Sequence, residues 1–280
     1  MRLHRLRNYR QFTVHEPREA AALEDHLALA ASLIPPDVES WSVKGYSYTA
    51  DREVMFLADF QHSGGTRDVN WRERLCCPVT AFNNRQRAAI HIFDLEMEPY
   101  RDSSIFISEQ ITPMYDWFSK RYANVTGSEY LGNAIPYGTA DSRGVRNETL
   151  CDLTFSNDSF EIIVSLDVFE HIPDYRLAFG QCYRVLKTGG RMLWSVPFVK
   201  HAEKNIVRAR VEDGEVKHLM SPEYHGDPLV ASGVLCFTHF GWEMLDDVRA
   251  VGFKDAYAIF FYSSRFGYLG GEQVMFVARK

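Results

Sequence analysis

The chain has 280 residues, 46% of them hydrophobic and 24% charged, which is typical of a globular protein with one medium-sized domain and a smaller one. The formal net charge of −6 argues against binding nucleic-acid phosphates through a basic face, and no apolar run approaches the roughly 20 residues that span a bilayer. Five cysteines without the spacing of a disulfide framework indicate a reducing compartment, so we expect a cytoplasmic location.

Residues 1–100 are predicted to form an N-terminal accessory region. The basic start MRLHRLRNYR is expected to be a solvated arm. One helix is predicted, from about Glu16 to Leu33, because Pro17 stands at its start and two prolines follow its end. Residues 41–100 are polar and irregular, with only short β-like runs.

Two fragments of this region have the spacing of zinc-ribbon knuckles. Such a ribbon needs two C-x-x-C pairs, because four thiolates satisfy tetrahedral zinc. The four corresponding positions here hold Ser47, Ala50, Cys77 and Thr80. Only Cys77 can be a thiolate ligand, with Cys76 and His62 as loose substitutes. We therefore predict a degenerate knuckle that is held by packing and binds no metal.

From residue 103 onward, strands and helices alternate. Strands are predicted at 104–108 and 124–128, with a helix starting at Thr112-Pro113 between them. Glu109 and Glu129 each follow one of these strands and lie 20 residues apart, the separation expected when an acid on the second strand binds a ribose. Residues 148–151 are predicted to be a short third strand.

Residues 159–198 read as strand, crossover helix and strand, which is a right-handed unit of a parallel sheet. The continuous apolar run Ile162–Leu166 is typical of a strand buried on both faces. A helical stripe starts at Tyr175 and is predicted to end at Thr188-Gly189-Gly190, and residues 192–198 form the next strand. Asp167 and His171 follow the first strand, at the edge where open α/β sheets bind ligands.

An insertion over residues 199–237 follows, and Asp213-Gly214 predicts a hairpin inside it. Thr238 is predicted to cap a helix that ends at Gly252. The last two strands, at 256–262 and 273–278, are expected to form a hairpin whose final strand lies antiparallel in an otherwise parallel sheet.

The segment DLTFSNDSFEIIVSLDVFEHIPDYRLAFGQCYRVLKTGGRMLWSVPF closely resembles class I S-adenosylmethionine-dependent methyltransferases. The fragments ISEQITPMYDWF and VTGSEYLG, with the terminal strands, extend the resemblance over residues 104–280. The fragment from Asn83 to Ala88 is similar to a bacterial subgroup that carries a zinc-ribbon-like segment before this domain. That subgroup is often linked to polysaccharide or small-molecule biosynthesis.

This resemblance implies an α/β, Rossmann-like methyltransferase fold over residues 101–280, with a mostly parallel sheet, an antiparallel last strand and the 199–237 insertion as a lid over the substrate. A small irregular region over residues 1–100 would precede it. The resemblance also implies S-adenosylmethionine as cofactor and a methyltransferase activity of class EC 2.1.1.-. The chain departs from the family in one respect, because Gln110-Ile111-Thr112 stands where a G-x-G-x-G loop is expected. We expect cofactor binding with modified contacts, the alternative being that binding is lost.

The resemblance also assigns site residues. Glu109 and Gln110 would lie near the methionyl part, Glu129 would bind the ribose, and Tyr130 would also belong to the cofactor-binding set. Asp167 and Val168 would line the sulfonium side. The adenine would be bordered by Glu148, Thr149 and Leu150. Glu129 could instead be a solvated acid at a strand end, and Asp167 could cap the following helix.

Methyl transfer to a hydroxyl requires a group that takes its proton, and histidine suits this role near neutral pH. His171 and His225 are the candidates, with Asp227 orienting His225. Alternatively, His171 packs at the helix start and His225 lies in a turn. Tyr224 and His218 are predicted substrate contacts.

The leading hypothesis is O-methylation of a small polar acceptor, such as a sugar, a glycan precursor or a secondary metabolite. Transfer to nitrogen is a variant that needs no strong base. A non-catalytic binding or scaffold protein is the main alternative. A nicotinamide-dependent oxidoreductase is disfavoured by the missing G-x-G-x-x-G and by the antiparallel last strand. We expect neither a nucleic-acid partner nor a metal.

Overall fold

The computed structural model of the protein describes residues 1–65 and 67–280. Its main elements are, in chain order, β1 (Arg2–Leu6), α1 (Tyr9–Ser32), β2 (Ser40–Ser47), β3 (Arg52–Asp59), α2 (Asn84–Met97), β4 (Ser104–Ile107), α3 (Pro113–Arg121), β5 (Asn124–Gly127), β6 (Phe160–Leu166), α4 (Tyr175–Val185), β7 (Leu186–Ser195), β8 (Ile206–Val207), β9 (Ala209–Glu212), β10 (Glu215–His218), β11 (Tyr224–His225), β12 (Val234–Leu235), β13 (Thr238–His239), α5 (Glu243–Ala250), β14 (Asp255–Ser263) and β15 (Tyr268–Arg279). Among the described residues, no helix combines the length and the apolar character that a membrane span requires.

The chain folds into two compact units. The first unit comprises residues 1–6, 10–98 and 258–275, and the second comprises residues 7–9, 99–257 and 276–280. The first unit therefore contains a segment from near the end of the chain in addition to the predicted accessory region.

The first unit is more regular than predicted. Helix α1 begins at Tyr9 and not near Glu16, and Pro17 lies inside it at the cost of one backbone hydrogen bond. The basic start of the chain is a strand, β1, which pairs antiparallel with β14 and is not a solvated arm. Helix α2 was missed altogether, because most of its residues are buried and no polar stripe marks its period.

The N-N-R-x-R-A fragment has a structural function in α2. Asn83 and Gln86 form a capping box at the start of the helix, and the Asn84 amide donates to Trp71 O at 2.8 Å. The guanidinium of Arg87 lies 3.8 Å from the Phe56 ring centroid. Burial lowers the pKa of Arg87 to about 10.

The knuckle positions lie close together. Ser47 Oγ is 3.3 Å from Cys77 Sγ, and Thr49 Oγ1 is 3.2 Å from Thr80 Oγ1. Hydroxyl groups thus stand beside Cys77 where a zinc ribbon would have further thiolates, and a knuckle without metal stays a prediction.

The hydrophobic core of the first unit joins α1, the β2–β3 hairpin and the chain around residue 75 to one residue that lies much later in the sequence. Its buried members are Ala30, Val43, Val54, Phe56, Ala58, Leu75, Cys77 and Leu269. Leu269 is 1% exposed, so this core is complete only when β15 is present.

The central sheet has the strand order β1-β14-β15-β7-β6-β4-β5. Strands β5, β4, β6 and β7 are parallel to their neighbours, and β15 pairs antiparallel with β7 through residues 276–279. The predicted fold class is therefore confirmed, including the antiparallel last strand.

Three predicted element boundaries in the second unit are wrong. Residues 148–151 form no strand, because only single bridges such as Glu129 to Asn147 occur there. Helix α4 ends at Val185, and Gly189 and Gly190 lie within β7, where a Cβ at position 190 would come within 2.8 Å of Lys187 O. Thr238 does not cap a helix, since it pairs with Val207 in β13 and α5 begins only at Glu243.

The insertion between β7 and α5 consists of three short antiparallel strand pairs. The predicted hairpin is confirmed as β9–β10, and its turn residues Asp213 and Gly214 have φ values of 53° and 81°. The pair β8–β13 joins the two ends of the insertion, so the paired region extends to His239.

Candidate active site

The candidate site lies at the carboxyl edge of the parallel strands in the second unit. Strand β4 stands between β5 and β6, so the chain leaves β4 on one side and returns on the other. Open α/β sheets bind ligands outside the strand ends at such a reversal. The Ser108 hydroxyl donates to Ser165 Oγ at 2.8 Å and joins the ends of β4 and β6.

Glu129 follows β5 and holds the loop after β4. Its Oε1 atom accepts hydrogen bonds from the backbone N–H of Gln110, at 2.6 Å, and of Ile111, at 3.0 Å. Burial raises the pKa of Glu129, and the charge of Asp227 raises it further. The register of Glu129 with the end of β4 is therefore as predicted, but one carboxylate oxygen is used by the protein itself.

Gln110 gives the glycine-free loop a second attachment. Its side-chain Nε2 donates to Gly144 O at 3.0 Å, and its Oε1 accepts from Arg146 N at 2.7 Å. The side chain therefore points along the 144–146 loop. A residue larger than glycine is accommodated here because its polar end is satisfied by the neighbouring backbone.

The residues predicted to border the adenine differ in burial and in their hydrogen-bond partners. The buried Glu148 carboxylate accepts from Arg146 Nε at 2.8 Å and from the backbone N–H and the hydroxyl of Thr154 at 3.0 and 2.5 Å. It is thus committed to its own loop. Leu150 is buried, Thr149 is half-buried, and the exposed Tyr130 donates its hydroxyl to Asn133 at 3.3 Å.

Asp167 and Val168 lie directly after β6, and Glu109 follows β4. Asp167 adopts the left-handed conformation, with φ 53°, which is costly for a residue with a side chain and is often found at functional sites. Its Oδ1 accepts from Ser195 Oγ at 2.7 Å, which ties the end of β6 to the end of β7. The Glu109 carboxylate accepts a hydrogen bond from the hydroxyl of Thr112, the N-cap of α3.

His171 and His225 lie close to each other, and Glu170 lies between them. The ring centroids of the two histidines are 4.9 Å apart. Glu170 Oε1 is 3.7 Å from His171 Nε2 and 3.7 Å from His225 Nδ1. Burial raises the pKa of Glu170, while the carboxylates of Glu170 and then Glu223 raise the pKa of His225 to about 9.

Glu223 connects this cluster to the rest of the insertion. Its Oε1 lies 3.0 Å from His225 Nε2 and 3.0 Å from His239 Nε2, and its Oε2 lies 3.1 Å from Arg208. The residue that orients His225 is therefore Glu223 and not Asp227. The Asp227 carboxylate is turned to its own loop, where Oδ1 accepts from the N–H groups of residues 229 and 230.

The two predicted substrate contacts are more exposed. Tyr224 is 56% exposed, next to His225 in β11, and His218 is exposed at the end of the β9–β10 hairpin.

The sequence prediction missed Glu170, Glu223 and His239. The sequence contained a partial signal for Glu170. This charged residue directly precedes His171 after a buried strand, so it lies at the same edge of the sheet as His171. No spacing rule indicates His239, which approaches Glu223 only through the pairing of β13 with β8.

The residues at this edge fit the predicted cofactor. Glu129 offers a half-buried carboxylate after the second parallel strand, and its Oε2 takes no part in the two loop hydrogen bonds, so it can accept a ribose hydroxyl. The acids Glu109 and Asp167 suit the cationic ammonium and sulfonium groups. The adenine side is the least well matched, because Glu148 is committed elsewhere.

We expect Glu129→Ala to weaken binding of S-adenosylhomocysteine by about tenfold or more, because it removes both the ribose acceptor and the attachment of the 110–111 loop. Glu129→Gln should have a smaller effect, since its amide oxygen can still accept the two backbone N–H groups. Isothermal titration calorimetry measures both. Asp102→Ala, an exposed acid before β4, is the matched control, and unchanged affinity in Glu129→Ala would contradict the ribose assignment.

Residues 113–194 match the family model described as a methyltransferase domain. A search of curated proteins gives no significant match.

Solved structures similar to the chain include the YcgJ protein from Bacillus subtilis, at 21% identity over 40% of this chain and 52% of that chain, with a TM-score of 0.33. The chain thus spans about half the length of that protein. Another is an S-adenosylmethionine-dependent methyltransferase from Mesorhizobium loti, at 14% identity over 72% of this chain and 100% of that chain, with a TM-score of 0.45. A third is the 1,6-didemethyltoxoflavin-N1-methyltransferase from Burkholderia thailandensis with bound S-adenosylhomocysteine, at 15% identity over 70% and 77% of the two chains and a TM-score of 0.39.

The family match extends from α3 almost to the end of β7, so it contains β5, β6 and α4, which surround the carboxyl edge described above. The mostly parallel sheet with its antiparallel last strand is the one that the resemblance implied. Residues 113–194 thus carry the match to a methyltransferase domain, the second unit has the predicted Rossmann-like methyltransferase fold, and S-adenosylmethionine is the cofactor that its residues fit.

Proposed function

We propose that this methyltransferase acts on an oxygen atom of a small polar acceptor, such as a sugar, a glycan precursor or a secondary metabolite. The observation that carries the proposal is the pair His171 and His225 beside Asp167, at the carboxyl end of β6. An acceptor hydroxyl must lose its proton during transfer. His171 is the imidazole suited to receive that proton, and His225, whose pKa the neighbouring carboxylates raise, is suited to orient the acceptor.

When bound, the cofactor supplies a methyl group on a positively charged sulfur. Transfer forms a carbon–oxygen bond on the acceptor as the carbon–sulfur bond breaks, and the acceptor proton leaves toward the protein. The tasks of this chain are to hold the acceptor oxygen in line with that bond and to handle the proton, and alignment alone supplies a large part of the rate acceleration. Glu129, Asp167 and Glu109 would hold the cofactor.

His171 is already oriented for such a role. Its Nδ1 lies 2.9 Å from Leu235 O, which can only accept, so Nδ1 carries the proton and Nε2 has the lone pair. The contact comes from β12 of the insertion, and Phe237 N donates to Glu170 O at 2.7 Å. The end of the insertion thus holds the end of β6, which supports the insertion as the acceptor side of the site, with Tyr224 and His218 as further contacts.

Two measurements test the proposal. Thermal shift with S-adenosylmethionine, S-adenosylhomocysteine and NAD should show stabilisation by the two sulfur nucleosides and none by NAD. Transfer of a labelled methyl group should then be measured on a panel of sugars, phenols and amines. Labelled ethers from hydroxyl acceptors are expected. Products labelled only on nitrogen would contradict the oxygen acceptor, and binding without any transfer would favour the non-catalytic alternative.

A further inference from the structure

Glu170 is the least satisfied acid in the second unit. Its side chain is 0% exposed, and within residues 1–65 and 67–280 neither of its carboxylate oxygens accepts a hydrogen bond. A buried carboxylate without partners is costly, so such a group normally pairs with a charge or coordinates a metal. Its Oε1 atom points toward His171 and His225, which gives three potential metal ligands on one side of the pocket.

We propose that Glu170, His171 and His225 bind a Zn²⁺ ion, through Glu170 Oε1, His171 Nε2 and His225 Nδ1. This site is separate from the N-terminal knuckle, and with zinc bound the two histidines would act on the acceptor oxygen through the ion. The sequence predicted no metal, and this proposal departs from that prediction.

The distances favour a metal over direct hydrogen bonds. Both Glu170–His separations are 3.7 Å, and all three ligand atoms lie within 4.8 Å of one another. These separations are too long for hydrogen bonds. Ligand atoms around tetrahedral zinc lie about 3.3 Å apart, given zinc–ligand bonds of about 2.0–2.1 Å. The two Glu170–His separations would therefore contract by a few tenths of an ångström, and the two histidine nitrogens would approach each other by at most about 1.5 Å.

Each of the two histidines faces Glu170 with one ring nitrogen and is held in place by a contact at the other. The Nδ1–H of His171 faces Leu235 O at 2.9 Å, which leaves the Nε2 lone pair toward Glu170. The Nε2 of His225 faces Glu223 Oε1 at 3.0 Å, so Nδ1 is the nitrogen directed at Glu170, and a metal bound there would take the place of the Nδ1 proton. A metal-bound histidine commonly donates its other N–H to a backbone carbonyl or a carboxylate, and this cluster shows one example of each.

A neighbouring set, Glu223, Cys236 and His239, is less suitable. Both oxygens of Glu223 are already used, by the two histidines and by Arg208. The Cys236 thiol is buried and lies 3.6 Å from Thr238 O, and burial raises its pKa to about 11, which disfavours the thiolate. Glu223 is better explained as the residue that holds His225 in place.

Two imidazoles and one carboxylate favour Zn²⁺ over Mg²⁺, which prefers oxygen ligands. Three protein ligands leave a fourth position for a water molecule or for the acceptor oxygen. This last step rests on the proposed function: an oxygen bound there would lose its proton at a lower pH than in water. Zinc binding itself depends neither on the acceptor nor on the cofactor.

The test uses the full chain, freed of metal by a chelator and titrated with Zn²⁺ against a chromogenic zinc indicator. One equivalent should bind, and Mg²⁺ at the same concentration should not displace it. His171→Ala, His225→Ala and Glu170→Gln should each weaken this binding by at least about tenfold, and the exposed His201→Ala should not. Co²⁺ in place of Zn²⁺ should give the intense visible absorption of a four-coordinate site, and this absorption should vanish in His225→Ala.

Circular dichroism shows whether each variant is folded, and the two histidine variants keep the test decisive if Glu170→Gln does not fold. If zinc binds at the knuckle, the Cys77→Ser variant should bind less zinc than the wild type. Less than about half an equivalent bound by the wild type would overturn the proposal, and so would binding that survives in both histidine variants. Because affinity for S-adenosylhomocysteine is measured separately, zinc binding without methyl transfer would contradict only the proposed function.

Discussion

Replacing His171 or His225 by alanine should lower kcat by about 10²- to 10⁴-fold, the range expected when a group that handles a proton in the transition state is removed. Affinity for S-adenosylhomocysteine should stay close to that of the wild type, because neither side chain belongs to the set around Glu129 that would hold the cofactor. The measurement is labelled-methyl transfer to the best acceptor of the panel, with calorimetric cofactor affinity alongside it.

The matched control is His201→Ala, an exposed histidine of the same unit, which should leave kcat unchanged. A structural effect would appear as a lower melting temperature and weaker cofactor binding together with the lost turnover. Full turnover in both single variants would show that neither imidazole handles the acceptor proton and would shift attention to the exposed Tyr224 and His218.

Gly127→Ala should destabilise the protein by about 1–3 kcal/mol, the usual range for overpacking. Gly127 ends β5, and a Cβ there would lie 2.4 Å from the Tyr115 ring and 2.8 Å from Glu109 O. The ring can move only with α3, and the carbonyl belongs to the loop that Glu129 holds. We therefore expect a melting temperature lower by several degrees and, because that loop shifts, weaker cofactor binding.

Gly180→Ala is the control for this substitution. Gly180 lies inside α4, where a Cβ would meet no atom within 4 Å, so alanine should stabilise the protein by about 0.5–1 kcal/mol through its better helix propensity. Differential scanning calorimetry on both variants gives the sign directly. Equal melting temperatures for the two variants would show that a methyl group at the end of β5 does not destabilise the protein, which would contradict the prediction.

The parts of the fold that could be predicted from the sequence are those with a local signal. Runs such as Ile162–Val164 are buried on both faces and therefore continuously apolar, which marks parallel strands. Thr112-Pro113 correctly marked the start of α3, since the hydroxyl of Thr112 accepts from Tyr115 N. The register of Glu129 with the loop after β4 followed from strand spacing alone.

The rest depended on contacts between distant segments. Helix α2 is buried almost all round, so its sequence has no amphipathic period. Thr238 looked like a helix cap until its pairing with Val207 was known. At the site, Glu170 and Glu223 are 53 positions apart, and only the folding of the insertion against β6 shows which acid orients which histidine.

The division of the first unit between both ends of the chain has a consequence for how the protein is made. On the ribosome, residues 10–98 emerge first, but Leu269, which completes their core, emerges about 170 residues later. The segment 99–257 lies wholly within the second unit and is synthesised in between. The apolar side chains of the β2–β3 hairpin therefore cannot pack against Leu269 until most of the second unit has been synthesised. For the same reason, a fragment ending at residue 98 would leave that core open, whereas the internal segment carries the whole candidate site.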